Sequence, residues 1–359
     1  MIGNLGRVSI ALTFLLLALG YLAQREDPAD FAHSDPSRFD GFTMGTTYSV
    51  QYAADLNPKS ALALESAVAQ LLAILDKDIF STYAPTSEIS RLSQAPIAAP
   101  VEVSPEMAVV LREALQVSSE TQGAFDVTVA PLVNLWGFGP QRKIEDAEPS
   151  PEDLRDALSR VDYRALELDT DKRLLVRTSD VAVDLSAIAK GYAVDRVAEL
   201  LESEGVHNYF VEVGGELRIS GHKDQSMRGW VPAIEAPLSG ISQIYEIFLS
   251  LGDSIAVAGS GDYRNYFEVD GKRYSHEIDP RSGRPISHTL AAVTVIDESA
   301  MRADALATAY MIMGAEEAEA AANAVSQAAY FIVRAGVEPS GEPRFESRHT
   351  QAFARYLTQ

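Results

Sequence analysis

The sequence contains no cysteine, which excludes disulfides, thiolate metal sites, iron–sulfur clusters and cysteine nucleophiles together. Histidine is scarce, with six scattered along 359 residues, so a histidine-rich zinc site is not on offer. Positive charge is in deficit: 30 Lys and Arg against 51 Asp and Glu leave a formal net charge of −21 at pH 7. A nucleic-acid-binding face would have to be assembled against that field, and no nucleic-acid partner is expected. An anionic ligand would need local help from backbone amides, a lysine or a metal ion. What is present is globular material, 47% hydrophobic and 23% charged, with length enough for a sizeable core.

A long apolar run is missing too. Residues 8–23 are apolar, but a stretch of about sixteen falls short of the ~20 that a comfortable membrane span takes. It follows a short head carrying Arg7, and Ala18 and Gly20 stand where a signal peptidase needs small residues. Arg7 before it and Asp27 and Asp30 after it also give the charge asymmetry of an uncleaved anchor. Residues 1–23 are therefore expected to be a signal peptide or N-terminal membrane anchor, and residues 24–38 a polar linker. The protein is expected outside the cytoplasm, periplasmic or anchored in the inner membrane facing the periplasm. No composition break divides the rest of the chain: residues 39–345 read as one domain and 346–359 as a C-terminal tail.

Within the domain, residues 42–52 have strand composition, and 60–77 carry apolar residues at helical spacing. Ser104-Pro105-Glu106 opens a second helix, stopped by Gly123. Residues 181–185 read as a short strand and 187–204 as a helix closed by Gly205. Strands at 209–213 and 216–220 flank Gly214-Gly215, a hairpin signal repeated at 267–274 around Asp270-Gly271. A strand at 290–297, helices at 301–313 and 316–328 and a strand at 330–333 complete the pattern. Hairpins mixed with helices, without regular βαβ alternation, predict an α+β fold with mixed, largely antiparallel sheet.

Four segments carry more chemistry than folding needs. In VDLSAIAKGYAVD (183–195), capping by Asp184 or Ser186 would leave helix amides for an anion, with Lys190 a turn in. Ordinary capping with a surface lysine reads the same way. Gly191 costs a helix ~1 kcal/mol relative to alanine, which points to close approach by a ligand or another backbone. Asp304 and Thr308 share one face of an otherwise apolar helix, as a macrodipole partner or as hard oxygen ligands suited to magnesium. His276 follows directly on a hairpin strand, where it is either structural or a general base, the role for which histidine is the commonest side chain. Lastly, GAFDVTVAPLVNLWGFGP (123–140) offers Phe125 and Trp136 as flat apolar surfaces, or as core, with Asp126 beside them.

Taken with FTMGTTYSV, STYAPTSEISRL, YFVEVGGELRISG, GSGDYRNYFEVDGKRYSHEIDPRSGRPI and ADALATAYMIMG, these blocks resemble, in order, the ApbE family of FAD:protein FMN transferases. The resemblance runs from about residue 40 to 335. It implies that FMN is transferred from FAD to a threonine or serine hydroxyl of a target protein, with Mg2+ required and AMP released. It implies FAD contacts at Met44, Tyr83, Ala124, Phe125, Asp126, Asp184, Lys190 and Ile278. The metal would be held by Asp304, Thr308 and the carbonyl of Ala187. His276 and Lys190 would be catalytic, His276 as the base activating the acceptor. The acceptor would be a membrane redox subunit. A FAD pyrophosphatase or a non-catalytic flavin binder would share parts of this pattern. Two departures stand out: Ala307 occupies a position where some members have a second aspartate, which favours one magnesium ion, and without cysteine there is no lipid anchor.

Overall fold

The computed structural model describes residues 36–357, apart from 140–147, 225, 226, 228, 239, 241, 242, 264, 265, 270, 271 and 339–341. The export segment read in residues 1–23 therefore lies outside the described residues, as do most of the expected linker and the Asp270-Gly271 turn.

Among the described residues, eight strands form one sheet: β1 (Ser37–Thr43), β2 (Thr46–Tyr52), β3 (Tyr209–Val213), β4 (Glu216–Ser220), β5 (Ile255–Gly261), β6 (Leu290–Asp297), β7 (Ala328–Val337) and β8 (Pro343–His349). Their spatial order is their chain order, and every neighbouring pair is antiparallel. The expectation of largely antiparallel sheet is met, and the fold is α+β. Residues 42–52, read as one strand, are two, because Met44 and Gly45 adopt positive φ (49° and 73°) and reverse the chain.

Side-chain alternation buries both faces of this sheet. Val50, Val211, Ala256, Ala258, Val293 and Phe331 meet one face's helices in the main core. Their strand neighbours Ile219, Val257, Ile296, Tyr330 and Ile332 join a second core with Trp230, Phe248 and Phe353. The helical layer consists of α1 (Pro58–Ile74), α2 (Pro105–Glu120), α3 (Ala189–Ser203), α4 (Ala300–Met313) and α5 (Ala315–Ala324). Local chemistry sets their starts: Asn57 Oδ1 accepts from the Lys59 and Ser60 amides, Ser104 Oγ from Met107, and Ser299 Oγ from Arg302.

Four expectations need correction. Residues 181–185 form no regular strand. α3 begins at Ala189, two residues late, and its N-cap Ile188 has no side-chain capping bond, so neither Asp184 nor Ser186 caps it. The last helix ends at Ala324, and Ala328 already belongs to β7. The segment read as a tail from 346 is built into the fold: β8 pairs with β7, and Phe353 and Tyr356 are buried in the second core. That segment is short on apolar residues because β8 is an edge strand, exposed along most of its length.

Candidate active site

Where the helices meet the sheet, a cavity of about 1060 Å³ opens between α3, α4 and the strand ends. Its innermost wall is set by a helix crossing. A Cβ on Gly191 would stand 2.2 Å from the carbonyl oxygen of Ala300 and 2.8 Å from Met301 Cα, so the glycine is there for the approach of another backbone, not of a ligand. The same contact lets the Gly191 N–H donate to Asp304 Oδ2 at 3.0 Å, tying the start of α3 to the middle of α4.

Asp304 is 3% exposed and needs partners to be buried as a charge. Beside the Gly191 amide, the Lys190 ammonium lies 3.6 Å from Asp304 Oδ1 and 3.0 Å from Glu216 Oε1. Burial works against the lysine's charge, but Asp304 and then Glu216 outweigh it and hold its pKa above the ordinary lysine value. Glu216 goes the other way. Burial, opposed by Lys190 and reinforced by repulsion from Asp304, pushes its carboxyl up to about 8. One turn along α4, Thr308 Oγ1 is 3.2 Å from Ser260 Oγ on β5.

A second wall comes from the loop before Ala130. Asp126 Oδ1 accepts from the Thr128 amide (2.8 Å) and hydroxyl (2.6 Å), and Oδ2 accepts from the Tyr163 amide at 3.1 Å. Burial nevertheless raises its pKa, with those bonds pulling against it. Asp184 Oδ1 accepts from the amide and hydroxyl of Ser186, and the Asp184 amide donates to Val127 O at 2.7 Å. The irregular segment 184–187 is thus fastened to the Asp126 loop.

The third wall is aromatic, faced by Phe138 and Phe267 and backed by Tyr274 and Trp136, which do not themselves line the cavity. Phe138 packs on Phe267 (centroids 5.3 Å apart), Phe267 stacks on Tyr274 (5.1 Å), and Tyr274 stacks on Trp136 (5.7 Å). Phe138 also meets the His276 ring edge-on at 6.3 Å, and His276 Nε2 stands 3.7 Å from Glu277 Oε1. The Glu277 carboxyl is raised by burial, with His276 opposing and Asp262 reinforcing.

All the residues the resemblance singles out line this one cavity: Met44, Tyr83, Ala124, Phe125, Asp126, Asp184, Ala187, Lys190, His276, Ile278, Asp304 and Thr308. They come from parts of the chain separated by up to 264 positions (Met44 to Thr308). Tyr83 is exposed to solvent, whereas Phe125 is buried. Trp136 does not line the cavity; it is core, with its indole N–H donating to Gly283 O at 2.8 Å. Glu216, Ser260, Glu277 and Phe138 also line it, and sequence reasoning gave none of them a role. A signal for Glu216 existed in Gly214-Gly215 immediately before it. Gly214 has φ +62°, and a Cβ there would meet Thr46 Cγ2 at 2.8 Å and Lys190 Cδ at 3.2 Å, so the turn is shaped around the lysine.

Among the described residues no three His, Asp or Glu side chains converge to hold a metal ion. Asp304, Thr308 and Ala187, which line this cavity, could offer a cation a carboxylate, a hydroxyl and a backbone carbonyl. Hard oxygens so few in number suit magnesium, which keeps several waters or substrate oxygens.

The chain matches the ApbE family over residues 44–332. It is 43% identical to a FAD:protein FMN transferase of Vibrio cholerae over 327 residues, 90% of this chain and 93% of that protein. It is 36% identical to a FAD:protein FMN transferase of Escherichia coli K12 over 315 residues, 87% of this chain and 88% of the relative. Among solved structures, the flavin transferase ApbE from Vibrio cholerae has a TM-score of 0.78 at 38% identity, covering 90% of this chain and 99% of its own. The apo flavinyl transferase ApbE of Pseudomonas stutzeri has a TM-score of 0.79 at 39% identity, covering 91% and 98%.

Proposed function

Because this chain belongs to the ApbE family, we propose that it is a FAD:protein FMN transferase whose cavity holds FAD and passes the FMN half to a serine or threonine hydroxyl of another protein. The observation that carries this reading is the convergence of Lys190, Asp304, Thr308 and His276 on one cavity large enough for a dinucleotide.

The acceptor oxygen forms a bond to the FMN phosphorus, the bridging P–O bond of the pyrophosphate breaks, and AMP departs with that electron pair. His276 takes the hydroxyl proton at a ring nitrogen. Lys190, held protonated by its two carboxylate neighbours, places a fixed positive charge beside the phosphoryl oxygens. Asp304, Thr308 and the Ala187 carbonyl would hold Mg2+, which when bound neutralises charge on the transferred group. Asp126 acts indirectly: its oxygens are committed to Thr128 and Tyr163, so it shapes the loop that presents Ala124 and Phe125. The apolar segment at 8–23 supports action on the periplasmic side, and the family resemblance is what suggests a membrane redox subunit as the acceptor.

Incubating the full chain with FAD, Mg2+ and a domain bearing an exposed threonine tests this reading. The expected product is a covalently yellow acceptor, heavier by one FMN less one water, with AMP released in equal amount. Free FMN with an unlabelled acceptor would identify a pyrophosphatase instead, and unchanged FAD a binding protein.

A further inference from the structure

Glu216 is a buried acidic group that takes no direct part in the transfer proposed for Lys190, Asp304, Thr308 and His276. It is 3% exposed; its Oε1 accepts from Lys190 Nζ at 3.0 Å, and its Oε2 is buried with no hydrogen-bond partner among the described residues. Lys190 is shared unequally, since the Asp304 oxygen is 0.6 Å farther away (3.6 against 3.0 Å). One ammonium thus stands between two buried carboxylates and is held nearer the one outside the proposed cation site. The backbone is shaped for this placement: Gly214 has φ +62°, and a Cβ there would crowd the Lys190 stem at 3.2 Å.

We propose that Glu216 is a positioning residue that draws the Lys190 ammonium off Asp304 and so leaves the Asp304 carboxylate available to a divalent cation. This rests on the reading of Asp304 and Thr308 as magnesium ligands. An ammonium closed onto Asp304 would neutralise it, and a divalent ion would then have to displace a paired charge in a site with little solvent screening. With Glu216 as the lysine's nearer partner, the phosphate-facing cation and the cation ligand coexist a few ångströms apart. Neither has to be rebuilt when metal enters.

The test is calorimetric titration of the full chain with Mg2+, without FAD or acceptor, for the wild type and for Glu216→Gln, Lys190→Met, the double variant and Asp304→Asn. Glu216→Gln keeps the shape and removes the charge; it should raise the apparent Kd for Mg2+ by ~10-fold or more, the size typical of losing an outer partner of a metal site. Lys190→Met should bind Mg2+ at least as tightly as the wild type, and Glu216→Gln should add no further loss in that background. An unchanged Kd in Glu216→Gln would overturn the proposal, as would an equal loss with and without Lys190, which would mean that Glu216 acts by its own charge. Should Glu216→Gln fail to fold, Lys190→Met decides alone, and weaker binding there would overturn it. Asp304→Asn binding Mg2+ as well as the wild type would instead sink the magnesium reading, and this proposal with it.

Discussion

Asp304 has two jobs in one carboxylate. Its Oδ2 accepts the Gly191 amide and fixes a helix crossing, while Oδ1 faces Lys190 and the cavity. Asparagine at this position can keep an oxygen for Gly191 and still lose the charge, which separates the two. Asp304→Asn should therefore fold and lower kcat/KM for FMN transfer by ~10²-fold or more, the size expected when several kcal/mol of charge stabilisation is removed. Asp171→Asn, on the exposed turn after Asp169, should leave the rate unchanged. Steady-state kinetics on both variants, with unfolding midpoints as the folding control, decides it; a fully active Asp304→Asn would mean the metal ligands are misassigned. The residue scale was partly legible in the sequence, because Asp304 and Thr308 sit one turn apart on an apolar helix. Glu216 was not, since Gly214-Gly215 marks the tight turn before it but not the Lys190 and Asp304 side chains that meet it in space.

At the scale of elements, the helix crossing is what assembles the site. Asp195 of α3 accepts from the Ser299 hydroxyl and from the Ala300 and Met301 amides, so the start of α4 is capped by a residue of its neighbour. Gly191, four residues before Asp195, lets the backbones touch. Gly191→Ala puts a methyl group 2.2 Å from the Ala300 carbonyl, with no flexible side chain to yield. It should cost ~1–3 kcal/mol or more, as overpacking does, although alanine favours an isolated helix by ~1 kcal/mol. Urea unfolding measures the sign directly: a stabilised Gly191→Ala protein would show that propensity wins and the crossing is loose. The glycine's misfit in a helix was visible in the sequence, but which backbone approaches it was not, because Ala300 lies 109 positions away (300 − 191).

Across the whole molecule, burial has lifted several carboxyl groups in the same direction. Asp126, Asp195, Glu216 and Glu277 all have raised pKa values, with desolvation as the leading cause. An acid whose folded pKa exceeds its unfolded one contributes stability that is complete below the unfolded value and is lost as pH rises through the folded value. For Glu216 the window runs from the ordinary 4.5 to about 8. The thermal midpoint in metal-free buffer should thus fall as pH rises across that window, and Glu216→Gln should flatten the upper part of the fall. A midpoint that climbs steadily over the same range would contradict the burial of these groups as acids. Periodic and local features were settled along the chain: the antiparallel hairpin around Gly214-Gly215, the helix start at Ser104, and the ordered blocks by which the family is recognised. Features that depend on distant neighbours were settled only by tertiary contacts. Those contacts drew the last strand and Phe353 into a core, kept Trp136 out of the cavity and turned Asp184 away from helix capping. They also placed Lys190 between Glu216 and Asp304, since burial and charge pairing are properties of a residue's surroundings in space and not of its neighbours along the chain.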